Sequence, residues 1–171
     1  MASLKPPFTK ETAHQKLKFA QDMWNTKNPE QVAKAYTPDC IWRNRDVFIQ
    51  GTEEIIKLLT AKWEKEKNYR LRKELFCVGG DSNEKIAVQF WYEYQDLHDG
   101  YKWKRCYGLE DWTFNEEGKM RKRMMSGNDV LLGIWGSGEA IPERSIEGRW
   151  FLDGVDVEDE SVTKMITEKH Y

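Results

Sequence analysis

The chain has 171 residues and a formal net charge of −2, although 33% of its residues are charged. This length is typical of one domain, and the near balance of charges argues against a protein that binds nucleic acid electrostatically. The 8 Trp, 7 Tyr and 7 Phe residues supply an aromatic core. Such a core suits a sheet that wraps around a pocket.

The cysteines indicate the cellular compartment, and the motifs that the sequence lacks exclude several classes of binding site. Cysteines at positions 40, 77 and 106 are odd in number and widely spaced, which favours free thiols in a reducing compartment. The sequence contains no apolar signal segment, membrane-length stretch, metal-ligand spacing or phosphate-binding glycine loop. We therefore expect a cytoplasmic protein with no metal or cofactor, which binds neither membrane nor nucleic acid.

Three helices are predicted near the N-terminus. The first begins at the N-cap Thr9, or at a capping box formed by Thr12 and Gln15. A second, short helix begins at Asn28-Pro29-Glu30 and ends at Thr37-Pro38-Asp39. The third follows Gly51-Thr52. Apolar residues recur at helical spacing in the first and third helices: Leu17, Ala20, Met23 and Trp24, then Ile55, Ile56, Leu59 and Trp63.

Five strands are predicted between residues 40 and 125. One, over residues 40–45, precedes the third helix and has Trp42 and Asn44 on one face. Four more follow that helix, over residues 69–78, 86–94, 101–114 and 120–125, and the last of them extends to residue 125 or beyond. Helices followed by a long meander predict an α+β fold, with a curved sheet folded over the helices. Gly108 is a candidate bulge, which would shift the strand parity before it.

The last hairpin contains the candidate catalytic residues. Glu110, Trp112 and Phe114 alternate onto one face of its first arm. Arg121 and Arg123 share one face of the second arm, and either is a natural partner for the carboxylate. A carboxylate among aromatic rings is unfavourable unless a cation pairs with it or it has a role in binding or catalysis. We interpret this face as the floor of a cavity, with Glu110 as an acid or base and Arg123 as its partner. The competing interpretation is a buried ion pair that only fixes the strand register.

Aromatic residues predicted to face the same interior are candidates for binding a flat or apolar molecule, although simple core packing explains them equally well. They are Trp42, Trp63, Phe90, Tyr92 and Trp112. Asn44 is a candidate for orienting a substrate. Lys73, between Leu71 and Leu75, is interpreted as a lysine that extends to the surface, rather than as an amine with a lowered pKa.

Two further expectations concern the outside of the sheet and the C-terminus. Trp91 lies among polar residues on the outer face of its strand, which predicts a homodimer formed through the sheet. We expect residues 1–130 to form the domain and residues 131–171 a mostly irregular tail, either loose or packed over the domain or a partner. Because the tail has glycines, an acidic run and few periodic apolar positions, we expect it to be dispensable for folding, with Trp150 set apart as a candidate for docking.

The order of these elements, and the phrase Ala35-Tyr36-Thr37-Pro38-Asp39 before a strand and a glycine-led helix, resembles the nuclear transport factor 2-like superfamily. This is the cone-shaped α+β fold of ketosteroid isomerase and the SnoaL-like cyclases. Several short motifs within residues 6–130 also resemble domain-of-unknown-function family 1348. They are Pro7-Phe8-Thr9, Trp24-Asn25-Thr26, Trp42-Arg43-Asn44-Arg45, Tyr69-Arg70-Leu71, Lys73-Glu74-Leu75, Glu110-Asp111-Trp112 and Asn128-Asp129.

The resemblance implies a pocket, and often a homodimer, but no particular reaction. By that resemblance the general base of the isomerase falls at Asn44, and its oxyanion-hole tyrosine falls near Ala20. Its protonated aspartate falls at Glu110. An amide cannot accept a proton at neutral pH, so the isomerase mechanism is not expected. Two hypotheses stay open. One is a cofactor-independent isomerase, hydratase or cyclase-like enzyme that binds a small apolar or aromatic molecule. The other is a non-catalytic dimeric module that binds a ligand or a protein.

Overall fold

Three N-terminal helices lie against one face of a curved sheet. A computed structural model describes residues 4–132 and 148–170, with side chains as far as residue 168. The helices are α1 (Lys10–Asn25), α2 (Pro29–Ala33) and α3 (Thr52–Lys65). Thr9 caps α1 as predicted, because its side-chain oxygen accepts a hydrogen bond from the Thr12 amide at 3.2 Å. In the described ranges, no helix is long and apolar enough to cross a bilayer.

The sheet has six strands in the order β2-β1-β6-β5-β4-β3. Neighbouring strands are antiparallel, except that β1 and β6 are parallel. The predicted α+β cone with a curved mixed sheet is therefore confirmed. The strands are β1 (Tyr36–Asn44), β2 (Val47–Gln50), β3 (Glu66–Gly79), β4 (Lys85–Asp96), β5 (Lys102–Phe114) and β6 (Met120–Leu131).

The first strand differs from its prediction. It begins at Tyr36 rather than at residue 40, because Tyr36 already pairs with Met120 on β6. The pairing of β1 with β6 is irregular between Tyr36 and Ile41. Proline, which lacks an amide hydrogen, is tolerated at such an irregularity, and Pro38 lies inside it. The short strand β2, which the sequence did not predict, pairs with the end of β1 and places Ile49 opposite Trp42.

Gly108 does not form the bulge that the sequence suggested. Phe90 and Gly108 are paired within an unbroken register between β4 and β5, so the strand parity is unchanged on both sides. A Cβ atom at position 108 would lie 2.0 Å from the Phe90 ring. Glycine is therefore required here for the close approach of an aromatic ring, rather than for a change of register.

The C-terminal tail is not irregular over its whole length. Residues 160–170 form a helix, α4 (Glu160–His170), and apolar side chains of residues 148–166 pack on the outer face of the sheet. Their cluster buries Trp91 completely, at 0% exposure. The other buried members of this outer cluster are Trp150, Phe151, Val157, Val162 and Ile166. The helix α4 interrupts the irregular tail that the sequence predicts. That the tail is dispensable for folding stays a prediction. The division into residues 1–130 and 131–171 stays a prediction.

A buried carboxylate anchors the tail. Glu93 on β4 accepts hydrogen bonds from the Trp150 amide at 2.7 Å and the Phe151 amide at 3.1 Å. It also accepts a 2.6 Å bond from Arg105 on β5, so its charge is paired. These partners explain how a charged residue can lie under an apolar segment.

The homodimer is predicted from an exposed apolar patch around Trp91. The C-terminal segment covers this residue, so in the described part of the chain no exposed patch surrounds it. The outer face stays open on its other half, where Phe48, Leu109 and Ile41 are exposed. Dimerisation through the sheet stays a prediction, and it now depends on this uncovered half.

Candidate functional site

Three charged side chains meet inside the cone, in a group that we call the ion cluster: Lys73, Glu110 and Arg123. Lys73 Nζ lies 2.8 Å from Glu110 Oε2, and Arg123 Nη2 lies 2.5 Å from Glu110 Oε1. All three residues are buried, with Lys73 only 1% exposed. The alternation of β5 and β6 brings Glu110 and Arg123 to the inner face. The pairing of β3 with β4 and of β4 with β5 places Lys73 beside them.

Aromatic rings enclose this cluster. The Lys73 ammonium nitrogen lies 5.0 Å from the ring centre of Phe90, 5.1 Å from Trp112 and 5.6 Å from Trp24. Trp112 also donates a hydrogen bond from Nε1 to Glu110 Oε2 at 2.5 Å. The aromatic rings therefore stabilise the buried charges: the Lys73 ammonium group is attracted to the ring faces, and the Glu110 carboxylate accepts the indole hydrogen bond.

Glu110 is held as an anion. Burial alone would raise its pKa, but the positive charges of Arg123 and Lys73 outweigh burial and lower the pKa to about 2. A carboxylate with so low a pKa is a poor proton acceptor at neutral pH. The geometry therefore favours Glu110 as a fixed counter-ion over the acid or base role expected from the sequence.

Lys73 has the pKa that lies nearest to neutrality in the cluster. Burial disfavours its charged form and lowers its pKa to about 8, while the neighbouring Glu110 charge opposes that shift. The expectation that Lys73 reaches the surface is wrong, because its whole side chain lies within the cone. The alternation of Leu71, Lys73 and Leu75 contained this signal, since Leu71 is also buried.

The space beside the ion cluster is small. A cavity of about 10 Å³ is bordered by Asn44, Phe90, Tyr92 and the cluster residues, together with Lys62 and Trp24. This volume holds about one water molecule. The interior of the cone is therefore almost filled by its own side chains.

A larger depression lies on the other side of two tryptophans. We call it the α1–hairpin groove, because it runs between α1, α2 and the β5–β6 hairpin, and it has a volume of about 480 Å³. Trp24 and Trp112 line this groove and also approach Lys73. The groove has the size of a small-molecule site, and one layer of rings separates it from the ion cluster.

Most of the predicted site residues line either the small cavity or the α1–hairpin groove. Asn44, Phe90, Tyr92, Glu110 and Arg123 border the small cavity, and Trp112 lines the groove. Asn44 accepts a long 3.4 Å hydrogen bond from Arg123. Trp42 and Trp63 line neither space. They pack instead against Trp24, with ring centres 6.0 and 5.8 Å away.

The sequence interpretation missed Trp24 and Lys62 as site residues. Both lie on helices, Trp24 on α1 and Lys62 on α3, and the spacing of α1 and α3 indicated only an apolar face. No group of three or more His, Cys, Asp or Glu side chains within residues 4–132 and 148–168 is arranged to hold a metal ion.

Acidification should remove the contribution of Glu110 to stability. Its pKa is about 2 in the folded state and about 4.5 as a free group. The stabilisation is therefore present above about pH 4.5 and disappears as the pH falls through about 2. Urea unfolding of the wild type and of Glu110→Gln measures it. The difference between them should shrink over this range, and a constant difference would contradict the prediction.

The comparisons with known proteins agree with this architecture. The family model described as "Protein of unknown function (DUF1348)" matches residues 6–134. No curated protein matches the sequence.

Solved structures with the same fold are distant in sequence. The epoxide hydrolase/cyclase-like enzyme SalBIII, which acts in pyran ring formation in salinomycin, has 11% identity and a TM-score of 0.61, over 70% of this chain and 92% of its own. A type 2 hexachlorocyclohexane dehydrochlorinase (LinA) has 16% identity and a TM-score of 0.62, over 77% and 93%. An NTF2-like protein of unknown function from Exiguobacterium sp. 255-15 has 8% identity and a TM-score of 0.57, over 67% and 99%. The chain therefore belongs to the DUF1348 family, and it shares the fold of these nuclear transport factor 2-like structures.

Proposed function

We propose that this protein binds a small apolar or aromatic molecule in the α1–hairpin groove and acts on it without a cofactor. The observation that carries the proposal is the single ring layer between groove and ion cluster. Trp24 and Trp112 face the groove, and both rings lie within 5.6 Å of the Lys73 ammonium nitrogen. A rotation of either indole would join the groove to a group that can transfer a proton.

Lys73 is the acid or base in this proposal. Its pKa of about 8 leaves a useful fraction of both protonation states near neutral pH. Glu110 stays ionised and fixes the position of the Lys73 amine, at 2.8 Å. Arg123 supplies a permanent positive charge that would stabilise negative charge developing on the ligand. Asn44 contacts Arg123 and orients it.

The reaction class follows from these roles. A buried amine with a neighbouring cation suits proton abstraction, hydration or ring closure, in which charge develops on a substrate oxygen or carbon. Structural neighbours include an epoxide hydrolase/cyclase-like enzyme and a dehydrochlorinase. Their chemistry is of the same broad kind, although at their sequence distance only the fold is shared.

A substrate panel tests the proposal. Small ketones, epoxides and chlorinated rings are incubated with the protein in heavy water, and deuterium uptake or turnover is followed by NMR and mass spectrometry. We expect the Lys73→Met variant to lose activity by about 100-fold or more, the effect of removing an acid–base group. Lys65→Met is the matched control, because its side chain is 42% exposed and lies outside the site. Equal activity of wild type and Lys73→Met would contradict the proposal.

The alternative function is a non-catalytic dimeric module that binds a ligand or a protein. The water-sized cavity beside Glu110 favours it, because a filled cone leaves no room for a substrate at the ion cluster. In that case the panel gives no turnover, and light scattering at micromolar concentration finds a dimer. A monomer that turns over a member of the panel excludes this alternative.

A further inference from the structure

The walls of the α1–hairpin groove are apolar and partly open to solvent. Phe19 is 58% exposed at its edge, which is unusual for so large an apolar side chain. Ala20, Met23 and Val32 continue the apolar surface towards the floor formed by Trp24. This surface suits the aromatic or alicyclic body of a ligand.

The polar groups of the groove are mostly positive. Lys16, Lys34 and Lys119 line it, with Glu117 as its single carboxylate. Within the described ranges, none of these lysines forms an ion pair with a carboxylate. The nearby Lys18, in contrast, pairs with two carboxylates, those of Glu74 and Glu158. Unpaired cations around an apolar groove create a positive local potential.

Lys16 is the best placed of the three. Its Nζ donates a hydrogen bond to the Gly118 carbonyl at 2.7 Å and lies 5.5 Å from the ring centre of Phe114. An ammonium group has three hydrogen-bond donors, so two stay available to an incoming acceptor. The Gly118 contact holds the amine at the mouth of the groove, next to Lys119.

The floor of the groove also has a positive charge behind it. The ion cluster contains two cations and one anion. Both cations lie against the far side of the floor, with Arg123 Cζ 4.9 Å from the Trp24 ring centre and Lys73 Nζ 5.1 Å from that of Trp112. Glu117 at the rim and Glu110, which accepts a hydrogen bond from Trp112, are outnumbered by cations, so the net charge is positive both at the rim and behind the floor.

We infer that the α1–hairpin groove selects an amphipathic anion: a molecule with an apolar ring body against Phe19 and Trp24, and a carboxylate or sulfonate at Lys16, Lys34 and Lys119. This inference uses the ligand site of the proposed function and adds the chemical class of the ligand. It does not require that the ligand reacts.

Two dyes with the same aromatic body provide the test. Anilinonaphthalene sulfonate has a negative charge, and phenylnaphthylamine lacks it. We expect the charged dye to bind more tightly to the full-length protein at low salt, and added salt to reduce this preference. The double variant Lys34→Gln/Lys119→Gln should weaken binding of the charged dye by about three- to tenfold, since exposed charge pairs contribute little each. It should leave the uncharged dye unaffected.

Matched variants locate the site. Lys10→Gln/Lys57→Gln removes the same charge from exposed positions outside the groove and should not change the affinity for either dye. Phe19→Ser should weaken both dyes with little effect on folding, because Phe19 is largely exposed. Ala20→Phe fills the groove and provides a second steric test. Thermal melts establish that each variant is folded, since these dyes also bind loosened proteins.

Three results would overturn the inference: equal affinity for the two dyes, equal effects of the two double lysine variants, or unchanged dye binding in folded Phe19→Ser and Ala20→Phe. The outcome is separable from that of the proposed function. Selective anion binding without loss of turnover in Lys73→Met contradicts the catalytic proposal alone. If uncharged molecules are turned over, Lys73→Met abolishes that turnover and the protein shows no preference for the charged dye, the anion inference alone is contradicted.

Discussion

Replacing Glu110 by Gln is expected to lower the free energy of unfolding by about 3–5 kcal/mol at neutral pH, the range measured when one member of a buried ion pair is removed. Glu110 is the only carboxylate that contacts Lys73 and Arg123 in the described part of the chain. Without its charge, Arg123 stays ionised in an apolar interior, and Lys73 must release its proton or remain an unpaired cation. Urea unfolding measures the loss.

The next residue supplies a control. Asp111 points to the opposite face of β5, where its side chain is 51% exposed and lies 3.9 Å from Lys85. Asp111→Asn should change stability by less than about 0.5 kcal/mol. The double variant Glu110→Gln/Lys73→Met should recover part of the loss, because it removes one of the two stranded cations. A Glu110→Gln protein as stable as the wild type would contradict a structural role for the cluster.

Replacing Ile166 by Ala is expected to destabilise the protein by about 2–5 kcal/mol, the usual result of truncating a buried Ile. Ile166 on α4 is 1% exposed and belongs to the outer cluster with Trp91 and Phe151. At about 2–4 °C per kcal/mol for a chain of this size, the thermal midpoint should fall by several degrees.

Lys164→Ala is the control on the same helix, because the Lys164 side chain is 74% exposed, and it should leave the midpoint nearly unchanged. Deleting residues 148–171 should lower stability further. It exposes Trp91 and removes from Glu93 the two amide donors of Trp150 and Phe151. If Ile166→Ala and the deletion both left the midpoint unchanged, the tail would not be docked on the sheet in solution.

The sequence by itself determined the strand faces of the final hairpin and the class of fold. Side chains alternate strictly along a strand, so the spacing of Glu110, Trp112 and Phe114 placed them together, and all three are buried. The parity of the second arm placed both Arg121 and Arg123 on that face. Arg123 contacts Glu110, whereas Arg121 is exposed, beside the point where the register of β5 and β6 shifts. Helical periodicity and a cap at Thr9 were enough to locate α1. These features depend on local geometry, which neighbouring residues specify.

Only the tertiary structure decided the partners of Lys73, the position of the tail and the size of the cavities. Lys73 and Glu110 lie 37 positions apart, so their contact depends on how β3, β4 and β5 pair. Trp91 has the pattern of an exposed residue until residues 148–166, far along the chain, cover it. The cone is nearly filled while the groove beside α1 stays open, because free volume depends on how large side chains from several elements fit together. Such long-range packing has no periodic signature in the sequence.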